Sequence, residues 1–172
     1  VGSSSFTNWK DVQQHFPGYT IINRGFGGST LVDVIRYFKD VISKYQPKQI
    51  VIYCGENDIA NDSKVKGKTV YKRFKALRRL IRADLHQVPI VYVSMKPSPS
   101  RWHLKDKFID GNKRIEKFIK KKDANMKFVN AWPHMLDETG KPRTDIFLED
   151  QLHMNAKGYV IWQKLIEPYL IK

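Results

Sequence analysis

The segment Gln49-Ile-Val-Ile-Tyr-Cys-Gly-Glu-Asn-Asp58 decides how the rest of the chain is organised. Its first half is an almost wholly apolar run rich in β-branched residues, which is typical of a strand buried on both faces of a parallel sheet. Ligands of open parallel sheets bind just beyond the carboxyl ends of the strands. Asn57 therefore lies where chemistry is expected, although Gly-Glu-Asn-Asp is by itself also ordinary turn sequence.

The length and composition predict a single folded domain over residues 1–172. A chain of 172 residues, of which 41% are hydrophobic, can bury a core without disulfides. Its single cysteine, Cys54, excludes an internal disulfide and is most simply a small core residue. The formal charge of +14 either attracts acidic partners or reflects solvated helix faces.

Strand and helix patterns alternate along the chain, as apolar spacing and the breaks at Pro and Gly indicate. The predicted strands are residues 19–23, 49–54, 90–95 and 126–131. The predicted helices are residues 6–16, 31–45 with Ser29 as N-cap, 69–86, 108–119 and 156–169. This alternation predicts an α/β fold in which helices cover both faces of a parallel sheet.

The start of the chain does not fit this alternation. The turn at Gly2 is useful only at the end of a strand, yet Val1 alone precedes it. In a doubly wound sheet such a strand is internal, and its absence would leave unpaired backbone groups on both neighbours. We therefore expect the first strand to be largely missing from the chain, with further residues upstream of Val1.

Four stretches fall at the predicted carboxyl edge of the sheet: residues 2–5, 25–28, 55–58 and 150–153. Together they contain the parts of a serine hydrolase. Ser4 is a candidate nucleophile, but a hydroxyl needs an adjacent base at neutral pH. His153 can be that base, and Asp150 can orient its imidazole.

An oxyanion hole can be assembled from the same stretches. Its donors would be the backbone N–H groups of Ser4 and Gly28 and the side-chain amide of Asn57. Each motif also has an ordinary explanation. The serines could form a flexible loop, the glycines a plain turn, and Asp150 a cap for the last helix. The ordered occurrence of all four favours the catalytic interpretation.

The ordered motifs resemble the four sequence blocks of the SGNH hydrolases, also called GDSL-type esterases and lipases. Gly-Asp-Ser, Asn-x-Gly-x-x-Gly, Gly-x-Asn-Asp and Asp-x-x-His correspond to residues 2–4, 23–28, 55–58 and 150–153. The resemblance extends from Gly2 to the final helix. One position departs from the pattern: Ser3 replaces the acidic residue of the first block. Ser3 and Ser5 therefore stay open as alternative nucleophiles.

This resemblance implies a three-layer α/β/α sandwich with a flavodoxin-like parallel sheet. It also implies ester hydrolysis without a cofactor, through a triad of Ser4, His153 and Asp150. Gly28 and Asn57 correspond to the oxyanion residues of the family. Consistent with this, the five histidines show no zinc-type spacing, so we expect no metal.

The loop at residues 97–103 follows a predicted strand and is a candidate substrate wall. Arg101 could receive a carboxylate, and Trp102 could offer a flat apolar or sugar-stacking surface. The competing interpretation is a rigid proline loop whose Trp102 packs on the core. His103 is a second, less favoured candidate base.

We expect the substrate to be a small-molecule or glycan ester with a short acyl or acetyl group. Lysophospholipase or thioesterase activity is the alternative within the family, and a non-catalytic basic module that binds polyanions is the alternative outside it. We expect no nucleic-acid partner and no transmembrane segment. The sequence leaves open the oligomeric state and the compartment, whether secreted, periplasmic or cytoplasmic.

Overall fold

The fold is known from a computed structural model that describes residues 1–172. Three parallel strands, β1 (Ile50–Ile52), β2 (Ile90–Val93) and β3 (Met126–Val129), form a sheet in the order β1-β2-β3. Ile90 of β2 lies between Ile50 of β1 and Met126 of β3. The β-branched residues that predicted these strands pack well on such a pleated, two-sided surface.

The sheet continues beyond β1 through single bridges. Gly2 forms parallel bridges with Tyr53 on one side and Gly25 on the other. The chain therefore crosses the sheet in the second-first-third-fourth-fifth order of flavodoxin-like folds. The predicted strand at residues 19–23 is wrong, because no strand pairs with this segment and the nearest bridge joins Gly25 to Gly2.

Eight α-helices surround the sheet. They are α1 (Ser4–Thr7), α2 (Val12–His15), α3 (Leu31–Arg36), α4 (Phe38–Val41), α5 (Glu56–Ala60), α6 (Gly67–Leu85), α7 (Lys105–Lys122) and α8 (Ala156–Ile166). Short 3₁₀ turns cover Ser43–Tyr45, Pro99–Leu104, Trp132–Met135 and Glu167–Tyr169. No helix combines the length and the apolar character that crossing a bilayer requires.

Two predicted helices are broken in the structure. The segment 6–16 is divided between the separate helices α1 and α2. Between them the Phe6 and Trp9 carbonyl oxygens accept N–H groups three residues on in the chain, and both also accept the Asn23 side-chain amide. The segment 31–45 divides into α3, α4 and a 3₁₀ turn.

The predicted ends of two helices also need correction. Thr30, not Ser29, caps α3, since Thr30 and Asp33 form a reciprocal capping box. The last helix ends at Ile166 and continues as a 3₁₀ turn to Tyr169, where Pro168 has no N–H for an α-helical bond.

The two faces of the sheet bury separate hydrophobic clusters, which confirms the three-layer α/β/α prediction. Ile52 and Ile90 pack with apolar residues of α3, α6 and α7. Tyr53 and Val91 face the opposite cluster, which contains residues of α1 and α8. Trp162 of α8 meets the Tyr53 ring edge-on at a centroid distance of 4.7 Å. This layering leaves the ends of the strands free to carry polar loops.

Candidate active site

The first motif is positioned by the end of β1. Gly2 has φ +138°, and a Cβ atom there would lie 1.8 Å from the Tyr53 carbonyl oxygen. Ser3 donates its backbone N–H to that same oxygen at 3.0 Å. Ser4 then begins α1. Any residue larger than glycine at position 2 would displace the turn that carries Ser4.

The three consecutive serines have different surroundings. Ser3 and Ser5 are buried, with relative exposures of 3% and 1%, whereas Ser4 is half-buried. The hydroxyl of Ser5 is enclosed without a hydrogen-bond partner. Its carbonyl oxygen accepts a bond of 2.9 Å from the Tyr159 hydroxyl, which ties the turn to α8. Ser4 is thus the most exposed of the three serines.

The second motif forms a turn above α1. Asn23 donates to the Phe6 carbonyl at 2.7 Å and accepts the Gly25 N–H at 2.9 Å. Gly28 has φ +76° and is exposed, and a Cβ atom there would meet nothing within 4 Å. The backbone conformation alone therefore favours glycine at this position. The Gly28 N–H donates to no protein acceptor, so it is free to bind a substrate oxygen.

The third motif is linked to the second by buried hydrogen bonds. The Asn57 carboxamide donates to the Ser29 carbonyl at 3.0 Å. Because this amide carries two N–H groups, one remains for another acceptor. Asp58 accepts the Leu31 N–H at 2.9 Å and an Arg73 N–H at 2.7 Å. Burial nevertheless raises the pKa of Asp58, against the effect of these donors.

The last motif is a compact carboxylate–imidazole pair. Asp150 Oδ2 lies 2.5 Å from His153 Nδ1, and Asp150 Oδ1 accepts the backbone N–H groups of Leu152 and His153 at 2.9 Å each. Burial raises the pKa of Asp150, but the hydrogen bonds from His153 and Leu152 outweigh it and lower the pKa to about 2.

The ionised state of Asp150 assigns the protons of the ring. A carboxylate can only accept, so Nδ1 of His153 must carry the hydrogen of this bond. In the neutral ring Nε2 then holds a free lone pair. The His153 side chain remains 27% exposed and the Asp150 side chain 47% exposed, so solvent and substrate can reach the pair.

The structure assembles the predicted residues only in part. Asp150 and His153 are bonded, and Asn57 is joined to the glycine turn through Ser29. The Ser4 hydroxyl makes no hydrogen bond with the His153 ring, a bond that is often long before substrate binds. Asp150 does not cap α8. That role belongs to Asn155, which accepts the N–H groups of Lys157 and Gly158.

The candidate substrate loop contacts the last motif. Ser100 donates its N–H to the Gln151 carbonyl at 3.2 Å. Trp102 stacks on Trp132 with a centroid distance of 6.0 Å and an interplanar angle of 24°, and both rings are half-buried. Trp102 therefore packs on another aromatic ring rather than within the core. His103 is exposed and makes no side-chain hydrogen bond.

Two charged residues of this region were not singled out from the sequence. Lys96 and Glu56 are 2% and 3% exposed, and Lys96 Nζ lies 3.1 Å from Glu56 Oε2. Burial lowers the pKa of Lys96, while Glu56 opposes that shift. The available signal was a lysine placed directly after the apolar run of residues 90–95, where a strand end meets the site.

A cavity of about 580 Å³ lies elsewhere in the molecule. Its walls include Ile50 and Val51 of β1, residues 18–24 and the last three residues of the chain. None of the candidate triad or oxyanion residues lines it. The catalytic hypothesis therefore concerns the polar strand ends rather than this apolar cavity.

The carboxyl edge of this flavodoxin-like sheet carries a serine turn, a glycine with positive φ and an Asp–His pair. This combination is typical of the SGNH hydrolases. The chain matches the model of the GDSL-like lipase/acylhydrolase family over residues 1–161 and belongs to that family. It is accordingly a carboxylic ester hydrolase by family.

Solved structures share this fold at low sequence identity. A GDSL-like lipase from Bacteroides thetaiotaomicron is 24% identical with a TM-score of 0.82, over 98% of this chain and 84% of its own. A protein from Bacteroides fragilis, described as a proposed acylhydrolase, is 21% identical with a TM-score of 0.84, over 98% and 83%.

A third structure comes from a more distant relative. An acetyl-xylooligosaccharide esterase from Geobacillus stearothermophilus is 12% identical with a TM-score of 0.74, over 98% of this chain and 82% of its own. No curated protein matches the chain. The fold is therefore shared widely, while these identities leave the substrate to be argued from the site.

Proposed function

We propose that this protein hydrolyses carboxylic esters through an acyl-Ser4 intermediate. Ser4 Oγ attacks the ester carbonyl while His153 Nε2 takes the hydroxyl proton. The tetrahedral intermediate then collapses, and His153 returns that proton to the leaving alcohol. His153 then deprotonates a water molecule, which attacks the acyl-enzyme. Collapse of the second tetrahedral intermediate breaks the bond to Ser4 Oγ, which takes the proton back from His153, and the carboxylic acid is released.

The Asp150–His153 pair is the observation that supports this mechanism most strongly. One carboxylate binds the Nδ1 hydrogen and two backbone N–H groups, so the ring orientation and its tautomer are both held. This arrangement leaves Nε2 as the base and stabilises the imidazolium that forms when it accepts a proton.

Unused donors at the strand ends support the proposed oxyanion hole. As the first residue of α1, Ser4 has an N–H with no helical acceptor. The Gly28 N–H and the second Asn57 N–H are also available. One donor of this kind typically contributes about 3 kcal/mol to transition-state stabilisation.

We propose short-chain acyl or acetyl esters as substrates, including acetyl groups on carbohydrate. One fold relative is named for acetyl-xylooligosaccharides, and the loop that carries Trp102 contacts the loop of Asp150 and His153. Lysophospholipids and thioesters form the second substrate group. We further propose that residues 1–172 act as one domain, since both clusters pack on the same sheet.

Polyanion binding is the weaker candidate function, because several basic residues on α6 already have acidic partners. Arg73 pairs with Asp58, and Arg78 and Arg82 both pair with Asp123. Such binding would fall steeply with added salt and would not depend on Ser4. Hydrolysis of a neutral ester should change little with moderate salt.

The test is intact mass after treatment with a small fluorophosphonate, followed by peptide mapping. We expect one adduct, on Ser4, that is absent in Ser4→Ala and strongly reduced in His153→Ala. Hydrolysis of 4-nitrophenyl acetate should follow the same pattern. An adduct on Ser3 or Ser5 would contradict the assignment of the nucleophile. Folded protein without any adduct or turnover would contradict the mechanism.

A further inference from the structure

The loop that follows β2 brings two cations to one buried carboxylate. Lys96 Nζ lies 3.1 and 3.4 Å from the two oxygens of Glu56, and 3.4 Å from the Tyr53 hydroxyl. Since Lys96 and Glu56 are almost fully buried, their charges compensate each other where solvent cannot. This pair accounts for the charge of Glu56 without any further partner.

Arg101 is therefore the surplus cation of this cluster. Its Nη1 lies 4.0 Å from Glu56 Oε1, which is an ion-pair distance but not a hydrogen bond. The guanidinium donates no hydrogen bond to another protein group, although its side chain is only 19% exposed. A largely buried guanidinium with free donors is costly unless it has a partner, and its planar fork fits a carboxylate.

The positive charge of Arg101 lies beside residues 150–153, which form the proposed catalytic loop. Ser100, the neighbour of Arg101, is hydrogen-bonded to the Gln151 carbonyl between Asp150 and His153. Asp150 is the next carboxylate that acts on Lys96, but its oxygens already accept three hydrogen bonds within the catalytic loop. None of these three bonds comes from Arg101.

The same two segments also contain buried polar atoms without partners. The hydroxyl of Ser98, a residue with 1% exposure, has no hydrogen bond, and neither does the Gln151 side-chain oxygen. Native proteins seldom leave such atoms unsatisfied, and functional sites are among the exceptions. The guanidinium of Arg101 and these two unpaired atoms therefore all belong to the two segments in contact, residues 97–103 and the catalytic loop.

We propose that Arg101 binds a carboxylate carried by the ester substrate, so that the enzyme prefers esters of acidic molecules. This inference rests on the proposed esterase function and adds a substrate class to it. The buried Glu56–Lys96 pair lies at the base of the loop that carries Arg101, with Glu56 Oε1 4.0 Å from Arg101 Nη1. The net charge of +14 assists by attracting anionic substrates to the protein.

The test compares matched charged and neutral esters. For a carboxylate on the acyl side, the probes are 4-nitrophenyl hemisuccinate and 4-nitrophenyl butyrate. For a carboxylate on the alcohol side, they are 4-acetoxybenzoate and 4-acetoxybenzamide. After subtraction of spontaneous hydrolysis, we expect kcat/KM to favour the charged member of at least one pair by about tenfold or more.

Variants at position 101 identify the group responsible. Arg101→Gln should lower the charged-to-neutral ratio by roughly 10- to 150-fold, the range for hydrogen bonds to charged groups. Arg101→Lys should give an intermediate ratio, because an ammonium keeps the charge but loses the planar fork. Arg79→Gln removes an exposed charge from α6 and is the matched control, for which we expect an unchanged ratio.

Three outcomes would overturn the proposal. A ratio near one in the wild-type protein, or a ratio unaffected by Arg101→Gln, would refute the substrate class while Ser4-dependent hydrolysis of the neutral esters upheld the esterase function. Stronger inhibition by inorganic phosphate than by succinate would assign the site to phosphoryl groups instead. If none of the four esters is hydrolysed, both proposals are refuted together.

Discussion

The Asp150–His153 and Glu56–Lys96 side chains form two hydrogen-bonded pairs at the carboxyl edge of the sheet, yet the two pairs have opposite environments. Asp150 and His153 are three residues apart in one loop and stay 47% and 27% exposed. Glu56 and Lys96 are 40 residues apart, follow different strands and are almost fully buried. The first pair can exchange protons with substrate and solvent, whereas the second can only hold its charges in place. Changes to the first should affect the rate, and changes to the second the stability.

The largest effect should follow from His153→Ala. Removing the proposed base should lower kcat for 4-nitrophenyl acetate by about a thousandfold or more. Because the ring is partly exposed, the free energy of unfolding should change little. Steady-state kinetics and urea unfolding measure the two quantities. A kcat within tenfold of the wild-type value would show that the Asp150–His153 pair does not take part in the reaction.

Lys96→Met should mainly lower the stability of the protein. It leaves Glu56 buried beside Arg101 alone, so we expect the free energy of unfolding to fall by about 3–5 kcal/mol, as for a buried pair that loses one partner. Urea unfolding monitored by circular dichroism measures the loss.

Two controls sharpen this second prediction. Combining Lys96→Met with Glu56→Gln removes both charges and should recover part of the stability. Lys120→Met breaks an exposed pair with Glu116 on α7 and should cost less than about 1 kcal/mol. Equal losses for Lys96→Met and Lys120→Met would show that burial does not distinguish the pairs.

Asn57 follows Glu56 in the chain but is a proposed oxyanion donor. The variant Asn57→Ala tests this role. Loss of one oxyanion donor should lower kcat by about 100- to 1000-fold. The lost bond to the Ser29 carbonyl should also reduce stability by about 1 kcal/mol. Asn57→Asp, in which a carboxylate replaces the donor, should be at least as slow. Unchanged kcat in Asn57→Ala would place the oxyanion hole elsewhere.

The smallest effect concerns acid stability. The pKa of Asp150 is lowered from the ordinary 3.8 to about 2. A depressed carboxyl pKa contributes stability that is fully present above 3.8 and is lost as pH falls through about 2. Because Asp150 is 47% exposed, solvent screening keeps this contribution small.

The corresponding experiment compares the wild type with Asp150→Asn. The free energy of unfolding of the variant should depend less steeply on pH between 3.8 and 2. Parallel profiles would indicate that the bond with His153 does not stabilise the ionised form of Asp150.

Much of the architecture could be predicted from local pattern. The apolar runs predicted β1, β2 and β3, and helical spacing predicted the long helices α6 and α7. The errors lie where tertiary contacts override local preference. In the segment 6–16 the side chain of the distant Asn23 binds two carbonyl oxygens between α1 and α2, and the segment 19–23 has no strand partner.

The candidate site was predictable to a similar degree. Local spacing was sufficient for Asp150 and His153, because a carboxylate three residues before an imidazole can bind both its ring and its backbone. The motif residues around Gly28 and Asn57 were recognisable as a set. Lys96 and Arg101 were harder to interpret, since a cation in a polar loop is usually solvated.

By itself, the sequence determined the family, the parallel α/β layering and the candidate Asp150–His153 pair, because periodic burial and short motif spacings are properties of neighbouring residues. Only the tertiary structure decided which serine is accessible and which charges are buried. It also decided that Arg101 is left without a hydrogen-bond partner. Those outcomes depend on distances between segments far apart in the chain, and burial changes the energy of a charge far more than its sequence context does.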